Sequence, residues 1–169
     1  SDIIFLSVPT PSNTDGSVHL GVLESALEDI NAVYHKMWDV IIHPIILIRS
    51  TVVPGTTKKL QEKFNKLHLV FNPEFLTERS AKFDFINQSR FILGGNHMDT
   101  MRVGIMYKER FGDSIPCIET DFETAEMIKY MNNCFFATKV SFLNEMYQIA
   151  DKCGANWEDA IEGFIRDGR

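Results

Sequence analysis

Little in this sequence is built for metals, disulfides or nucleic acid. Its three cysteines (Cys117, Cys134, Cys153) show no C-x-x-C spacing and no histidines clustered near them. That excludes a disulfide framework and offers no zinc ligand set, so each is expected as a buried thiol. The 169 residues hold no run of five or more basic residues and carry a formal net charge of -6, which leaves no electrostatic footprint for nucleic acid. The longest apolar stretch, "VIIHPIILI", is broken by His43-Pro44 and is too short to cross a bilayer. No basic-then-apolar leader opens the chain, and the expected compartment is the cytoplasm. Gly-x-Gly-x-x-Gly, Walker A, Gly-x-Ser-x-Gly and H-E-x-x-H are all missing, and no Tyr has a Lys four positions later.

What is present suits a packed globular core, with 44% hydrophobic and 11% aromatic residues. The chain begins without Met in the apolar pattern "DIIFLSV" and stops at "FIRDGR" just after a helical pattern, so it reads as a piece of something longer. "IIFLSV" predicts a strand buried on both faces. Residues 20–35 place Leu20, Leu23, Leu27, Ile30 and Val33 on one helical face. "IILIRST", "HLVFN", "RFILGG" and "IPCIETD" predict four more strands. Helices are expected in "KKLQEKFNKL", capped by Thr56 or Thr57, and around 99–111. Strands alternating with helices predict an α/β class with right-handed crossovers and a parallel sheet covered on both faces. From Thr120 a helical pattern runs for about thirty residues, opened by a Thr120/Glu123 capping box and stopped at Gly154. Such a helix is long for a globular protein, and its apolar positions Ile128, Met131, Phe135, Phe142, Met146 and Ile149 need a partner. A further helix is expected at 157–163, after Asn156.

Ligands of doubly wound sheets bind outside the carboxyl ends of the strands. Three such ends carry unusual polar text: Pro9-Thr10-Pro11, Ser50-Thr51, and Asn72-Pro73-Glu74. Asn72 suits an N-cap, Pro73 a first helical position and Glu74 a first turn. Glu78, four residues later, would then face Glu74 at a cost of a few tenths of a kcal/mol, which a cation or polar ligand between them would offset. Lys129 and Asn133 are also four apart. They make either a solvated strip or, since Lys129 sits among apolar neighbours, a pair of donors to a developing oxyanion.

The ordered text "SVPTP", "STVVPGTT", "FNPEFLTERSAKFDF" with "SRFILGG", and "AEMIKYMNNCFFATKVSFLNE" resembles the UDP-glucose/GDP-mannose dehydrogenase family over nearly the whole chain. The resemblance implies the later half of a Rossmann-like, doubly wound NAD-binding domain over residues 1–118 and the start of a central helical dimerisation domain over 119–169. It implies oxidation of the C6 alcohol of a UDP-sugar, UDP-glucose first, twice with NAD, through a cysteine-bound thioester that water hydrolyses to the uronate. GDP-mannose, a UDP-N-acetylhexosamine, and a non-catalytic dimerisation module remain the alternatives. On the motif positions, Lys129 and Asn133 would stabilise oxyanions, Glu74 would act as acid/base in hydrolysis, and Thr51 would hold a water. Pro9, Thr10, Pro11, Ser50, Thr51 and Glu78 would form the NAD side; Glu74, Phe75, Leu76, Glu78, Lys129 and Asn133 the sugar side. A homodimer through the long helix is implied. The family's Gly-rich turn and its cysteine segment would lie beyond the two ends, so the isolated chain is expected to be inactive.

Overall fold

The computed structural model describes residues 2–34, 36, 43–77 and 79–168. They form two compact units, Ser1–Tyr130 and Met131–Arg169. In the first, β1 (Ile3–Leu6), α1 (Gly21–Tyr34), β2 (Ile45–Ile48), α2 (Thr56–Lys63), β3 (His68–Phe71), α3 (Ala81–Ile86), β4 (Phe91–Gly95), α4 (His97–Phe111) and β5 (Cys117–Thr120) follow in order. The opening turns of α5 (Phe122–Cys153) complete it; the rest of α5 and α6 (Trp157–Ile165) make the second unit.

The five strands lie in one sheet in the order β1-β2-β3-β4-β5. Every side chain of β2 is fully buried, alternately on opposite faces. Ile46 and Ile48 pack with Leu23 and Leu27 of α1, Leu60 of α2 and Ala125 of α5. Ile45 and Leu47 pack on the other face, where Val103 and Tyr107 of α4 sit. Each such apolar side chain contributes about 1.5–3 kcal/mol relative to exposure. This is the expected three-layer α/β arrangement.

The sheet is not wholly parallel. β3 and β4 pair antiparallel, Phe71 opposite Gly94, while the other neighbours are parallel. The connection between β3 and β4 runs through irregular residues 72–77 and the six-residue α3. β1 is not buried on both faces either: it pairs with β2 alone among the described residues, and only Leu6 is buried.

Gly94 is required by a close approach. A Cβ there would lie 2.6 Å from the Ala125 Cβ and 2.8 Å from the Asp121 carbonyl oxygen. The cap of α5 is Asp121 rather than Thr120, since Asp121 Oδ1 accepts from the Thr124 amide at 2.6 Å. Val33, placed on the buried face of α1, is 58% exposed, because Ile30 and Tyr34 are the residues that pack on the core at that end of the helix.

In the second unit, Asn156 caps α6 by accepting from the Glu158 amide. Trp157 meets Tyr147 edge-on at 5.5 Å, and Ala150 is buried. Phe135, Phe142 and Ile149 of α5 stay exposed within this unit. One short helix cannot cover the whole surface of a long one, which is also why Cys134 and Cys153 are exposed rather than buried. Cys117, on β5, is half-buried. No described helix is long and apolar enough to cross a membrane.

Candidate active site at three strand exits

The chain leaving β1, β2 and β3 converges on a cavity of about 420 Å³. Pro9, Thr10, Ser50, Thr51, Glu74 and Leu76 line it, with Ser7, Val8 and Arg49. Two hydroxyls staple the first two exits together. Ser50 Oγ accepts from the Val8 amide at 3.0 Å and donates to the Val8 carbonyl at 2.7 Å. Thr10 Oγ1 donates to the Thr51 carbonyl at 2.7 Å. Both side chains therefore hold the rim in shape, and the Ser50 proton is already committed to the backbone.

The third exit differs from the helix start that its sequence suggests. Residues 72–77 are irregular, and α3 begins only at Ala81. Asn72 cannot cap, because its side chain is taken up across the sheet. Its Oδ1 accepts from Arg49 Nη1 at 2.7 Å and from the Tyr107 hydroxyl at 2.6 Å, while its Nδ2 donates to the Ile92 carbonyl at 2.9 Å. Burial pushes the Tyr107 hydroxyl pKa up, opposed by the Arg49 guanidinium. Asn72 is 1% exposed, so these bonds replace lost hydration and fix where β3 releases the chain.

Glu74 then meets a cation. The Lys129 ammonium donates to the Glu74 backbone carbonyl and lies 3.4 Å from Glu74 Oε1. Its side chain is 6% exposed against 31% for that of Glu74. The Phe75 ring centroid is 5.5 Å from the ammonium, a cation–π distance. Lys129 is thus no solvated strip; it is a buried cation touching a carboxylate that faces the cavity. Glu74 Oε2 accepts from the Leu76 amide at 3.2 Å, which orients the carboxylate further.

The remaining sequence-derived positions separate. Phe75 packs on Lys129 rather than lining the cavity, and Pro11 is exposed with its carbonyl accepting from the His19 amide at 2.8 Å. Asn133 is exposed in the second unit, and Glu78 lies outside the described residues. Arg49, Tyr107 and Glu126 were not singled out from sequence. Glu126 also corrects the cap of α2. Neither Thr56 nor Thr57 caps it; the N-cap is Gly55 at φ 90°, with no side-chain bond of its own. The carboxylate of Glu126 accepts instead from the Gly55 amide at 2.6 Å and the Thr57 amide at 2.7 Å. The signal available was its spacing: Glu126 and Lys129 are three apart on one helix, hence on one face.

The hydroxyls of Ser7, Thr10, Ser50 and Thr51, with Pro9, Arg49 and the Glu74 carboxylate that Lys129 holds, stand at the carboxyl ends of three parallel strands, where doubly wound sheets bind their ligands. Similarity to known proteins points the same way. Residues 1–110 match the NAD binding domain of the UDP-glucose/GDP-mannose dehydrogenase family, and residues 123–169 match its central domain. An uncharacterized protein of Methanocaldococcus jannaschii, MJ1054, is 41% identical over 92% of this chain and 18% of its own length. A UDP-glucose 6-dehydrogenase of Rickettsia typhi is 32% identical over 99% of this chain, which spans 38% of that relative. The crystal structure of a GDP-mannose dehydrogenase ternary complex from Pseudomonas aeruginosa superposes with a TM-score of 0.88 at 28% identity, covering all of this chain and 40% of that one. The fold is the Rossmann-like fold of these dehydrogenases, the cofactor of the matched domain is NAD, and the chain belongs to the UDP-glucose/GDP-mannose dehydrogenase family.

Proposed function

We propose that this chain is part of an NAD-dependent nucleotide-sugar 6-dehydrogenase that oxidises the C6 alcohol of UDP-glucose in two steps to UDP-glucuronate. Residues 1–118 are the later part of its NAD-binding domain and 119–169 the start of its central helical dimerisation domain. The observation that carries this reading is the buried Lys129 ammonium on Glu74, beside the cavity formed by the strand exits.

NAD, when bound along the rim that Thr10 and Ser50 hold in shape, would supply the hydride acceptor for each oxidation at C6. Lys129 is suited to donate to the oxygen that becomes negative when a thiol adds to the aldehyde, and again when water attacks the thioester. Asn133, four residues on, is the proposed second donor. Glu74, fixed by Lys129 and the Leu76 amide, moves the proton of the attacking water, and Thr51 holds that water. Pro9, Thr10, Pro11, Ser50 and Glu78 belong to the cofactor side, with Thr10 and Ser50 acting through the backbone they staple. The thiol comes from elsewhere in the parent protein. Cys117 is unsuited, since burial pushes its thiol up and it lies under α4, away from the cavity.

The resemblance to a GDP-mannose dehydrogenase supports a second reading of the sugar, and the exposed Phe135, Phe142 and Ile149 support a homodimer through α5. The test is the count of NADH formed per UDP-glucose consumed by the full-length parent. Two per sugar is expected. A clear preference for GDP-mannose or a UDP-N-acetylhexosamine would replace the sugar, and no oxidation of any nucleotide sugar would refute the function in favour of a non-catalytic dimerisation module.

A further inference from the structure

The proposed chemistry leaves Glu126 unused, yet it is a carboxylate with 0% exposure. A buried charge of this kind persists only when it is well partnered. Each of its two oxygens takes one backbone N–H, from Gly55 at 2.6 Å and Thr57 at 2.7 Å, both short and charge-assisted. These amides open α2, where the helix dipole also favours negative charge. Burial pushes the Glu126 carboxyl pKa up, opposed by the bonds from Thr57 and Gly55. The segment so held runs back to the site. The Thr56 hydroxyl and amide both donate to the Val53 carbonyl, closing the turn, and the Thr51 carbonyl accepts from Thr10 at 2.7 Å. One helical turn along α5, Lys129 holds the exit of β3 through Glu74.

We infer that Glu126 is a positioning residue for the proposed oxidation. Its carboxylate sets the segment from Thr51 to Thr57 at a fixed height against the same helical face from which Lys129 grips Glu74. Thr51 and Glu74 are thereby kept in register across the cavity. A carboxylate is required because both backbone groups facing it, the Gly55 and Thr57 amides, are donors. An amide would accept one and turn its own N–H against the other.

The inference rests on the functional reading above, and its test is arranged to separate the two. In the full-length parent, Glu126→Gln is expected to lower kcat at least about tenfold, with KM for NAD and the nucleotide sugar within about twofold, as a misplaced but still accessible site requires. Amide hydrogen exchange should quicken in peptides spanning 50–57 and not in those spanning 91–95. Thr51→Val combined with Glu126→Gln should be no slower than the slower single variant. Should Glu126→Gln fail to fold, Gly55→Ala perturbs the same segment through backbone strain at φ 90° alone, because an added Cβ meets nothing within 4 Å. It should show the same loss in kcat alone. Normal kcat in the folded variants, unchanged exchange at 50–57, or full multiplication with Thr51→Val would each overturn the inference. A wild-type parent that oxidises no nucleotide sugar refutes the function instead, and the exchange comparison alone then judges the clamp.

Discussion

Replacing Lys129 by Met in the full-length parent keeps the apolar stem and removes only the charge. The side chain is 6% exposed, and its ammonium bonds the Glu74 carbonyl while lying 3.4 Å from Glu74 Oε1. Losing a hydrogen bond from a charged donor costs about 1.5–3 kcal/mol of stability, since Glu74 keeps the Leu76 amide and some water. A structural lysine would show that loss in the unfolding midpoint and leave the folded enzyme's turnover intact. A donor to a developing oxyanion contributes a further 3–4 kcal/mol or so in the transition state alone, which is roughly a hundredfold to a thousandfold in kcat. Initial rates of NADH absorbance at saturating UDP-glucose and NAD, well below the unfolding transition, separate the two. The expected result is kcat reduced at least about a hundredfold in both Lys129→Met and Lys129→Ala, with part of the Lys129→Ala loss restored by added primary amines. A Lys129→Met enzyme within about threefold of the wild-type kcat would refute the oxyanion role and leave Lys129 as a strut for Glu74.

Gly94→Ala drives a methyl group to 2.6 Å from Ala125 and 2.8 Å from the Asp121 carbonyl, so chemical denaturation should show a loss of about 1–3 kcal/mol or more. Gly163→Ala is its control: nothing lies within 4 Å, and in the interior of α6 it should be neutral or stabilising by up to about 1 kcal/mol. Tyr107→Phe removes the 2.6 Å bond to Asn72, which keeps Arg49, and should cost about 0.5–1.5 kcal/mol by the same measurement. Asp121→Ala removes the cap of α5 at about 1 kcal/mol near neutral pH. The bonds from Thr124 hold the Asp121 carboxyl below its ordinary value of 3.8, so its contribution is present above that value and lost as pH falls through the lowered one. Denaturation midpoints of the two proteins should therefore converge on acidification below that point; a gap that stays constant would remove the charge from the explanation.

Local signals carry far where partners are near in sequence. The alternation of apolar runs and amphipathic stretches places all five strands and the main helices. The four-residue spacing of Lys129 and Asn133 marks a helical face, and the apolar neighbours of Lys129 point to its burial. Asp121 and Asn156 lie within three residues of the amides they cap. Asn72 is the opposite case. By local rules it caps a helix, but Arg49, Ile92 and Tyr107, all at least twenty residues away, claim both ends of its amide. Glu74 consequently stands in irregular chain, where it meets a lysine 55 residues away.

The sequence by itself determined the α/β class, the polar strand ends, the long helix and, through four ordered motifs, the family. Periodicity and motif order survive without any knowledge of what packs on what. The tertiary structure alone decided that β4 runs against β3, that Ser50 and Thr10 are staples, that Glu74 leaves the helix, and that Glu126 caps an element 69 residues away in the chain. For the staples, Glu74 and Glu126 the physical reason is the same. A buried backbone amide or side-chain carbonyl must find a partner, and the nearest one in space comes from another element of the folded sheet.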